Sequence, residues 1–238
     1  MYLPQPKACP TDVIQAGLGL LTISQIIFCS ITSNSCKSCI LILLFRRMPA
    51  FWRIIFLLSI AGCSSPHKNP HIEIQTSIGN IEVELFPEQA PKSVSAFLSY
   101  IDSGFYKNTT FYRVLNTENQ PSDAFKSELI QGGLWGSGKR KNLPGIPHES
   151  TQQTKILHKN GTISLARLAP GTATTEFFIC VGDQPGYDYG GENNDDGQGY
   201  AAFGKVVNGL DVVRRIYNRP ETDQYFIPRI PIYNIIRK

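Results

Sequence analysis

An arginine within an apolar stretch is the residue whose type and position most clearly suggest chemistry. Arg113 lies in the run Phe111-Tyr112-Arg113-Val114, which has the composition of a buried strand. A guanidinium stays charged at physiological pH and is costly to bury unless it serves a partner or a ligand. The run therefore predicts either a hydrogen-bond donor for a ligand or a structural ion pair with a nearby carboxylate.

Three further blocks follow this run in a fixed order, namely Ile130-Gln-Gly-Gly133, Gly161-Thr-Ile-Ser-Leu-Ala-Arg167 and Glu176-Phe-Phe-Ile179. The order of the blocks and the residues within them resemble those of the cyclophilins, which are β-barrel peptidyl-prolyl cis/trans isomerases. The resemblance covers residues 70–238, a span within the size of one domain. It implies isomerase activity on X–Pro bonds, with no cofactor and no metal.

Isomerisation of an X–Pro bond makes simple chemical demands. The barrier is ~18–20 kcal/mol because the nitrogen lone pair is delocalised into the carbonyl. No bond breaks, so a catalyst needs a pocket that grips proline and a donor that competes for the lone pair. The resemblance implies that Arg113 is this catalytic donor. The substrate-binding residues that it implies are Phe111, Leu129, Gln131, Ala166, Arg167, Glu176, Phe178 and Tyr200.

Two of these implied roles can be stated more closely. Gln131 matches the glutamine that hydrogen-bonds the substrate backbone, and the glycines after it allow close approach of a ligand. Phe178 matches the aromatic floor of the proline pocket. Ordinary core packing is a competing interpretation of Phe178, since aromatic residues on strands are common.

The chain also departs from the family pattern around the pocket. Polar residues lengthen the connection between Arg113 and Gln131 over 116–126, and a long loop beside a site is often functional. The substituted positions are Glu128 for a pocket phenylalanine, Leu129 for methionine, Arg167 for asparagine, Glu176 for glutamine and Tyr200 for histidine. The pocket tryptophan is missing from the segment before Tyr200. These departures predict a working but altered pocket that is insensitive to cyclosporin.

The glycine-rich acidic segment 188–199 allows a calcium interpretation. Glu192, Asn194 and Asp196 before Gly197 are similar to the opening of an EF-hand loop, but Phe203 stands where the closing glutamate is needed. A solvated loop at the rim of the groove is the preferred interpretation. The histidines are scattered and show no triad or metal spacing.

The periodicity of the chain predicts a mostly β fold. Residues 72–75 and 81–85 alternate as in a hairpin, and helices are predicted from Pro91 and over 209–217. Further strands are predicted at 110–115, 129–131, 162–168, 177–181, 201–206 and 230–236. Short strands with few helices favour an antiparallel arrangement. The resemblance makes this a closed eight-stranded antiparallel β-barrel capped by two α-helices, whereas strand patterns alone leave a sandwich open.

The N-terminal quarter differs from the rest of the chain. Residues 48–62 have the layout of a bacterial signal peptide, and Ile60-Ala-Gly-Cys63 resembles a lipobox, which predicts lipidation of Cys63. The apolar part is shorter than the ~20 residues of a membrane-spanning helix, although an uncleaved anchor is an alternative. Residues 63–70 are predicted to be a polar tether to a domain at 71–238. Residues 1–47 are interpreted as a wrongly assigned start or a poorly structured leader, with an anchor over 13–44 as the alternative.

The net charge of the chain from Cys63 onward makes nucleic acid an unfavourable partner. Five of the 23 basic residues and one of the 19 acidic residues precede Cys63, which leaves 18 of each sign from Cys63 onward. A neutral domain lacks the basic surface of a nucleic-acid binder.

These observations together predict a monomeric isomerase that is lipid-anchored in the bacterial cell envelope and faces the periplasm, at the outer membrane. Its expected partners are proline-containing segments of unfolded or exposed envelope proteins, and slow uncatalysed isomerisation gives the activity a use in folding. The alternatives are a non-catalytic proline-peptide-binding chaperone or interaction module, and a purely structural lipoprotein.

Overall fold

Nine strands and three α-helices make up the part of the chain that the computed structural model describes, residues 69–139 and 142–238. The strands are β1 (His71–Thr76), β2 (Asn80–Leu85), β3 (Thr109–Leu115), β4 (Leu129–Gly133), β5 (Thr162–Leu165), β6 (Phe177–Cys180), β7 (Ala201–Asn208), β8 (Glu221–Thr222) and β9 (Tyr225–Arg237). The helices are α1 (Pro91–Asp102), α2 (Thr151–Thr154) and α3 (Leu210–Tyr217), and a 3₁₀ helix spans Pro185–Tyr187.

The predicted N-terminal segments lie outside the described residues. These segments are the leader 1–47, the signal peptide 48–62, Cys63 and most of the tether 63–70. Within residues 69–139 and 142–238, no helix combines the length and the apolar character needed to cross a bilayer.

The first hairpin forms because apolar and polar residues alternate along both of its strands. Ile72 and Ile74 of β1 pair with Val83 and Ile81 of β2, and all four side chains are fully buried. Alternate side chains of a strand point to opposite faces of the sheet, so the intervening glutamates lie on the outer face. The predicted hairpin is confirmed.

The strands form one antiparallel sheet that closes on itself. Their order is β1-β2-β7-β5-β6-β4-β3-β9, and β9 pairs with β1 to complete the ring. Within the described part of the chain, the two-residue β8 pairs only with β9. The predicted closed eight-stranded barrel is therefore confirmed, with β8 as a short addition outside the ring.

Aromatic packing joins α1 to the main core. The ring of Phe97 lies 5.1 Å from Tyr106, 5.5 Å from Phe177 and 5.0 Å from Phe203, centroid to centroid. All four rings are almost fully buried, and buried aromatic side chains supply a large share of core energetics. The apolar stripe predicted for α1 thus packs against the barrel strands β6 and β7.

Some element boundaries differ from those predicted. Strand β5 ends at Leu165 rather than at residue 168, where Arg167 turns toward a neighbouring loop. Strand β9 begins at Tyr225 rather than at the predicted Ile230. Prolines interrupt the apolar pattern of its first residues, so the pattern did not predict them. Helix α2 and strand β8 are too short to produce a periodic signal. Both predicted helices are present.

Candidate active site

A β-bulge at Tyr112 sets the position of Arg113. The pairing of β3 with β4 shifts register between Phe111 and Arg113, and the pairing of β3 with β9 shifts at the same place. Arg113 consequently lies opposite Gln131 on one side and Tyr225 on the other. Bulges re-aim side chains next to functional sites, and here the guanidinium-bearing residue is half-buried between fully buried neighbours.

The guanidinium of Arg113 is held by amide oxygens. Its Nε and Nη2 atoms donate to Oε1 of Gln224 at 3.1 and 2.6 Å, and Nη1 donates to Oε1 of Gln131 at 3.3 Å. Among the described residues, no carboxylate lies within ion-pair distance of Arg113. The described residues therefore do not support the alternative that Arg113 forms a structural ion pair.

Gln131 connects Arg113 to a second polar side chain. Its Nε2 atom donates to the hydroxyl of Tyr112 at 2.7 Å while its Oε1 accepts from Arg113. Burial, helped by the nearby Glu176 carboxylate, raises the pKa of Tyr112. Tyr112 is thus a neutral hydroxyl, and the amide of Gln131 has a fixed orientation between it and the arginine.

Glu176 fastens the end of β4. Its Oε1 atom accepts hydrogen bonds from the backbone N–H groups of Leu134 at 2.9 Å and Trp135 at 3.2 Å. The carboxylate lies so close to Gly133 that a Cβ there would collide with it. Burial raises the pKa of Glu176. Glu176 therefore positions the backbone at this end of the site.

A satellite apolar cluster brings several predicted pocket residues together. Leu129 and Phe178 are buried in it, and Ala166 and Tyr200 pack against its edge. The ring of Phe178 lies 5.4 Å from that of Tyr200 and 5.3 Å from that of Tyr187. Tyr187 was not predicted as a pocket residue, because the family resemblance led us to expect a tryptophan in this segment. The cluster is separate from the main core, and its half-buried edge is formed by Ala166 and Tyr200.

Phe111 lies elsewhere. It is fully buried in the main core, where its ring meets Phe177 edge-on at 5.8 Å. The structure does not bring it to the satellite cluster, so its contribution to the site is the support of strand β3.

The side chain of Arg167 is occupied by structural contacts. It pairs with both carboxylate oxygens of Asp196, at 2.6 and 2.8 Å, and donates to the carbonyl of Gly199 at 2.9 Å. Only 1% of the side chain is exposed, and its guanidinium lies 5.2 Å from the ring centroid of Tyr200. The bond to Arg167 lowers the pKa of Asp196 to about 2. One carboxylate of the EF-hand-like segment is thereby engaged by a cation of the chain itself.

A groove of about 510 Å³ lies beside these residues. Four of the predicted substrate-binding residues line it, namely Gln131, Ala166, Arg167 and Glu176. The remaining wall is formed by Leu134, Trp135, Leu168 and the threonines at 172, 174 and 175. Arg113 reaches the groove through its hydrogen bond to Gln131. Ala166 belongs to both the lining of the groove and the edge of the satellite cluster, so the two adjoin at this residue.

The additional loop at 116–127 is held at both rims of the site. On one side, Nε2 of Gln224 donates to the carbonyl of Asn119 at 3.1 Å. On the other, Nδ2 of Asn193 donates to the carbonyl of Phe125 at 2.9 Å and to the hydroxyl of Ser127 at 2.8 Å. The loop therefore links the turn behind Arg113 to the glycine-rich segment 188–199.

A chain of three polar residues, of which His158 and Ser164 are buried and Asp188 is half-buried, lies under Phe178. His158 contacts Asp188 Oδ1 through Nδ1 at 2.8 Å and Ser164 Oγ through Nε2 at 3.0 Å. Its ring stacks on Phe178 at 6.0 Å. The spacing of these residues in the sequence gave no sign of the arrangement. Because Ser164 is fully buried, no substrate carbonyl can reach it, and the chain of contacts fixes the loop beneath the aromatic floor.

The sequence comparisons agree with one another. The family model for "Cyclophilin type peptidyl-prolyl cis-trans isomerase/CLD" matches residues 71–236. A peptidyl-prolyl cis-trans isomerase of Acinetobacter baylyi is 33% identical over 164 residues, which are 68% of this chain and 80% of that protein. Peptidyl-prolyl cis-trans isomerase B of Escherichia coli is 35% identical over 146 residues, which are 61% of this chain and 82% of that protein.

Solved structures show the same likeness. A cyclophilin type peptidyl-prolyl cis-trans isomerase of Cryptosporidium parvum superposes with a TM-score of 0.56 at 25% identity, covering 71% of this chain and 98% of that one. A second structure of that protein, determined in the presence of the dipeptide Ala-Pro, gives a TM-score of 0.55 over the same shares of the two chains.

Proposed function

The chain belongs to the cyclophilin-type peptidyl-prolyl cis-trans isomerase family, and we propose that Arg113 accelerates the isomerisation by hydrogen-bonding the prolyl nitrogen. The resemblance that the sequence predicted is confirmed, and with it the enzyme class. The observation that carries the role of Arg113 is its set of partners, which are the amide oxygens of Gln131 and Gln224. These partners orient the guanidinium without neutralising it.

The chemistry follows from the electronic structure of the imide bond. As the bond twists, the lone pair leaves conjugation and becomes localised on nitrogen, so a donor aimed at that nitrogen stabilises the twisted state more than the planar one. A preoriented cation in a site with little water is effective because it needs no reorganisation during the reaction. Arg113 supplies the donor, and no nucleophile is required.

The substrate is a peptide segment that contains proline. The proline ring is placed at the edge of the satellite cluster, where the half-buried Ala166 and Tyr200 pack over the buried Leu129 and Phe178. The groove lined by Gln131 and Ala166 accommodates the neighbouring peptide backbone. The C. parvum relative was crystallised in the presence of Ala-Pro, which agrees with a substrate of this class.

A proline isomerisation assay on the full chain tests the role of Arg113. We expect Arg113→Ala to lower kcat/KM by roughly 10²–10³, the usual loss when one preorganised donor is removed. Arg214→Ala is the matched control, since Arg214 is exposed on α3. Equal rates for the Arg113→Ala chain and the unmodified chain would refute the proposal.

The cellular role is the folding of envelope proteins by an enzyme anchored through Cys63 at the outer membrane. The sequence supports the anchor, because Ile60-Ala-Gly-Cys63 follows a charged start and a short apolar run, and two acyl chains suffice for stable anchoring. Mass spectrometry of the membrane-extracted protein should show a chain that begins at acylated Cys63. An unmodified chain that retains residues 1–62 would contradict the anchor.

A further inference from the structure

The residue that holds most of the Arg113 guanidinium lies in a turn with no sequence motif. Gln224 and Asp223 form the two-residue connection between β8 and β9, which pair at Thr222 and Tyr225. Both turn residues have positive φ, 52° for Asp223 and 73° for Gln224. Two-residue hairpins adopt this geometry because it matches strand twist, but glycine and asparagine are the usual occupants. A glutamine is held there against its backbone preference.

The backbone of Gln224 is tied on both sides. Its carbonyl accepts a hydrogen bond from Val114 N at 2.8 Å, and its N–H donates to Oε2 of Glu221 at 2.8 Å. Val114 directly follows Arg113, so the turn is bonded to the strand that carries the arginine. The position of the Gln224 side chain relative to Arg113 is therefore well determined.

The amide of Gln224 has only one orientation that satisfies its neighbours. Nε2 donates to the carbonyl of Asn119 at 3.1 Å, which requires Oε1 to face the other way. Oε1 accepts from both Nε and Nη2 of Arg113, and a guanidinium has only donors. The loop at 116–127 thus determines which end of the amide meets the arginine.

The neutral charge of this partner matters for the reaction. A carboxylate at the same place would form a bidentate ion pair, the strong geometry for arginine. It would then offset the positive charge of Arg113 that stabilises the nitrogen of the twisted imide. An amide fixes the same edge of the guanidinium and leaves its charge intact. Among the described residues, Gln131 alone bonds to Nη1, at the longer distance of 3.3 Å, so this edge is the one that we expect to turn toward a substrate.

We propose that Gln224 is a positioning residue for Arg113, with its amide oriented by the carbonyl of Asn119. The inference rests on the proposed role of Arg113, and it identifies the additional loop as part of the apparatus that aims the arginine. Gln224 does not itself meet the substrate.

Two substitutions in the full chain separate positioning from mere support. Gln224→Gly removes the amide and suits the positive φ, so the free energy of unfolding should not fall. We expect kcat to fall about tenfold with KM changed less than about twofold, because the donor that Gln224 orients bonds to the prolyl nitrogen only in the transition state. Gln224→Glu should lower kcat as well, because a carboxylate offsets the charge of Arg113. Its second oxygen would face the carbonyl of Asn119, so this variant is compared by kcat and not by stability. Asp223→Asn, in the same turn, is the control and should retain the original kcat.

A spectroscopic signal and a double mutant complete the test. The NMR resonance of the Arg113 Nε–H should shift in Gln224→Gly, and in the Arg113→Ala background Gln224→Gly should change kcat less than about twofold. An undiminished kcat in both Gln224 variants, or an equal loss with and without Arg113, would overturn the positioning role alone. An undiminished kcat in Arg113→Ala would overturn the proposed function and this inference together.

Discussion

Two arginines border the candidate site, and they are held by opposite kinds of partner. Arg113 is half-buried and bonds to the neutral amides of Gln131 and Gln224. Arg167 has a side chain that is 1% exposed and forms a bidentate pair with Asp196. A carboxylate neutralises a buried cation, whereas an amide only orients it. The kind of partner therefore distinguishes the arginine available to a ligand from the arginine that fastens a loop.

The largest expected effect comes from removing each arginine in turn. Arg167→Ala should lower the free energy of unfolding by about 2–3 kcal/mol, somewhat less than for a fully buried pair because Asp196 is partly exposed. Arg113→Ala should cost less, about 1–1.5 kcal/mol, because the guanidinium is only half-buried and its removal leaves uncharged amides rather than an unpaired carboxylate. Urea unfolding of the two full-length variants measures both values. A cost for Arg113→Ala equal to that of Arg167→Ala would abolish the distinction.

The second effect concerns the segment 188–199, which is attached to Arg167 through Asp196 and to His158 through Asp188. Asp188→Ala should lower the free energy of unfolding by about 1–2 kcal/mol, because the buried His158 loses a hydrogen-bond partner. Asp195→Ala, at an exposed position nearby, is the control for charge removal. Thermal unfolding of both variants is the measurement. If the two variants unfold at the same temperature, the contact with His158 does not hold the loop.

The acid stability of the chain tests the Arg167 pair more finely. The pKa of Asp196 is lowered from 3.8 to about 2 by Arg167, so the unfolded state binds a proton first as the pH falls. The stability from this pair is complete above pH 3.8 and is lost as the pH falls toward 2. The stability advantage of the unmodified chain over Asp196→Asn should therefore shrink across this window. An advantage that stays constant down to pH 2 would contradict the assignment.

The opposite sign is expected for the carboxyl at the end of β4. Burial raises the pKa of Glu176 above 4.5, so the folded state holds the proton more tightly than the unfolded state. Stability then declines as the pH rises from 4.5 through the raised pKa. The glutamine of Glu176→Gln cannot titrate. Denaturant unfolding should therefore show the free energy of unfolding of the unmodified chain falling relative to that of Glu176→Gln over this pH interval. A gain with rising pH would show that the hydrogen bonds from Leu134 and Trp135 outweigh burial.

Much of the fold could be predicted because its signals are local. The alternation in β1 and β2 and the helical period of α1 each lie within one short stretch, and the structure has them where expected. The start of β9 could not be predicted, since prolines hide its pattern. The closing contact between β9 and β1 joins the two ends of the domain, and no local pattern records such a pairing.

The site was less predictable than the fold. The sequence motif marks Arg113 and Gln131, and the structure places them within hydrogen-bond distance. Gln224 is separated from Arg113 by 111 positions and lies in a turn of two residues, so neither spacing nor composition indicates it. Tyr187 was missed because a tryptophan was the expected residue type. The fixed side-chain contacts of Arg167 depend on Asp196, whose loop has no regular pattern.

The loop at 116–127 bonds to Gln224 through Asn119 and to Asn193 through Phe125 and Ser127. A length change or a substitution within it would reach the arginine and the opposite rim at once, without altering any group that meets the peptide. On the proposed roles of Arg113 and Gln224, substitutions in this solvent-facing segment should change turnover while leaving the proposed proline-binding residues unaltered.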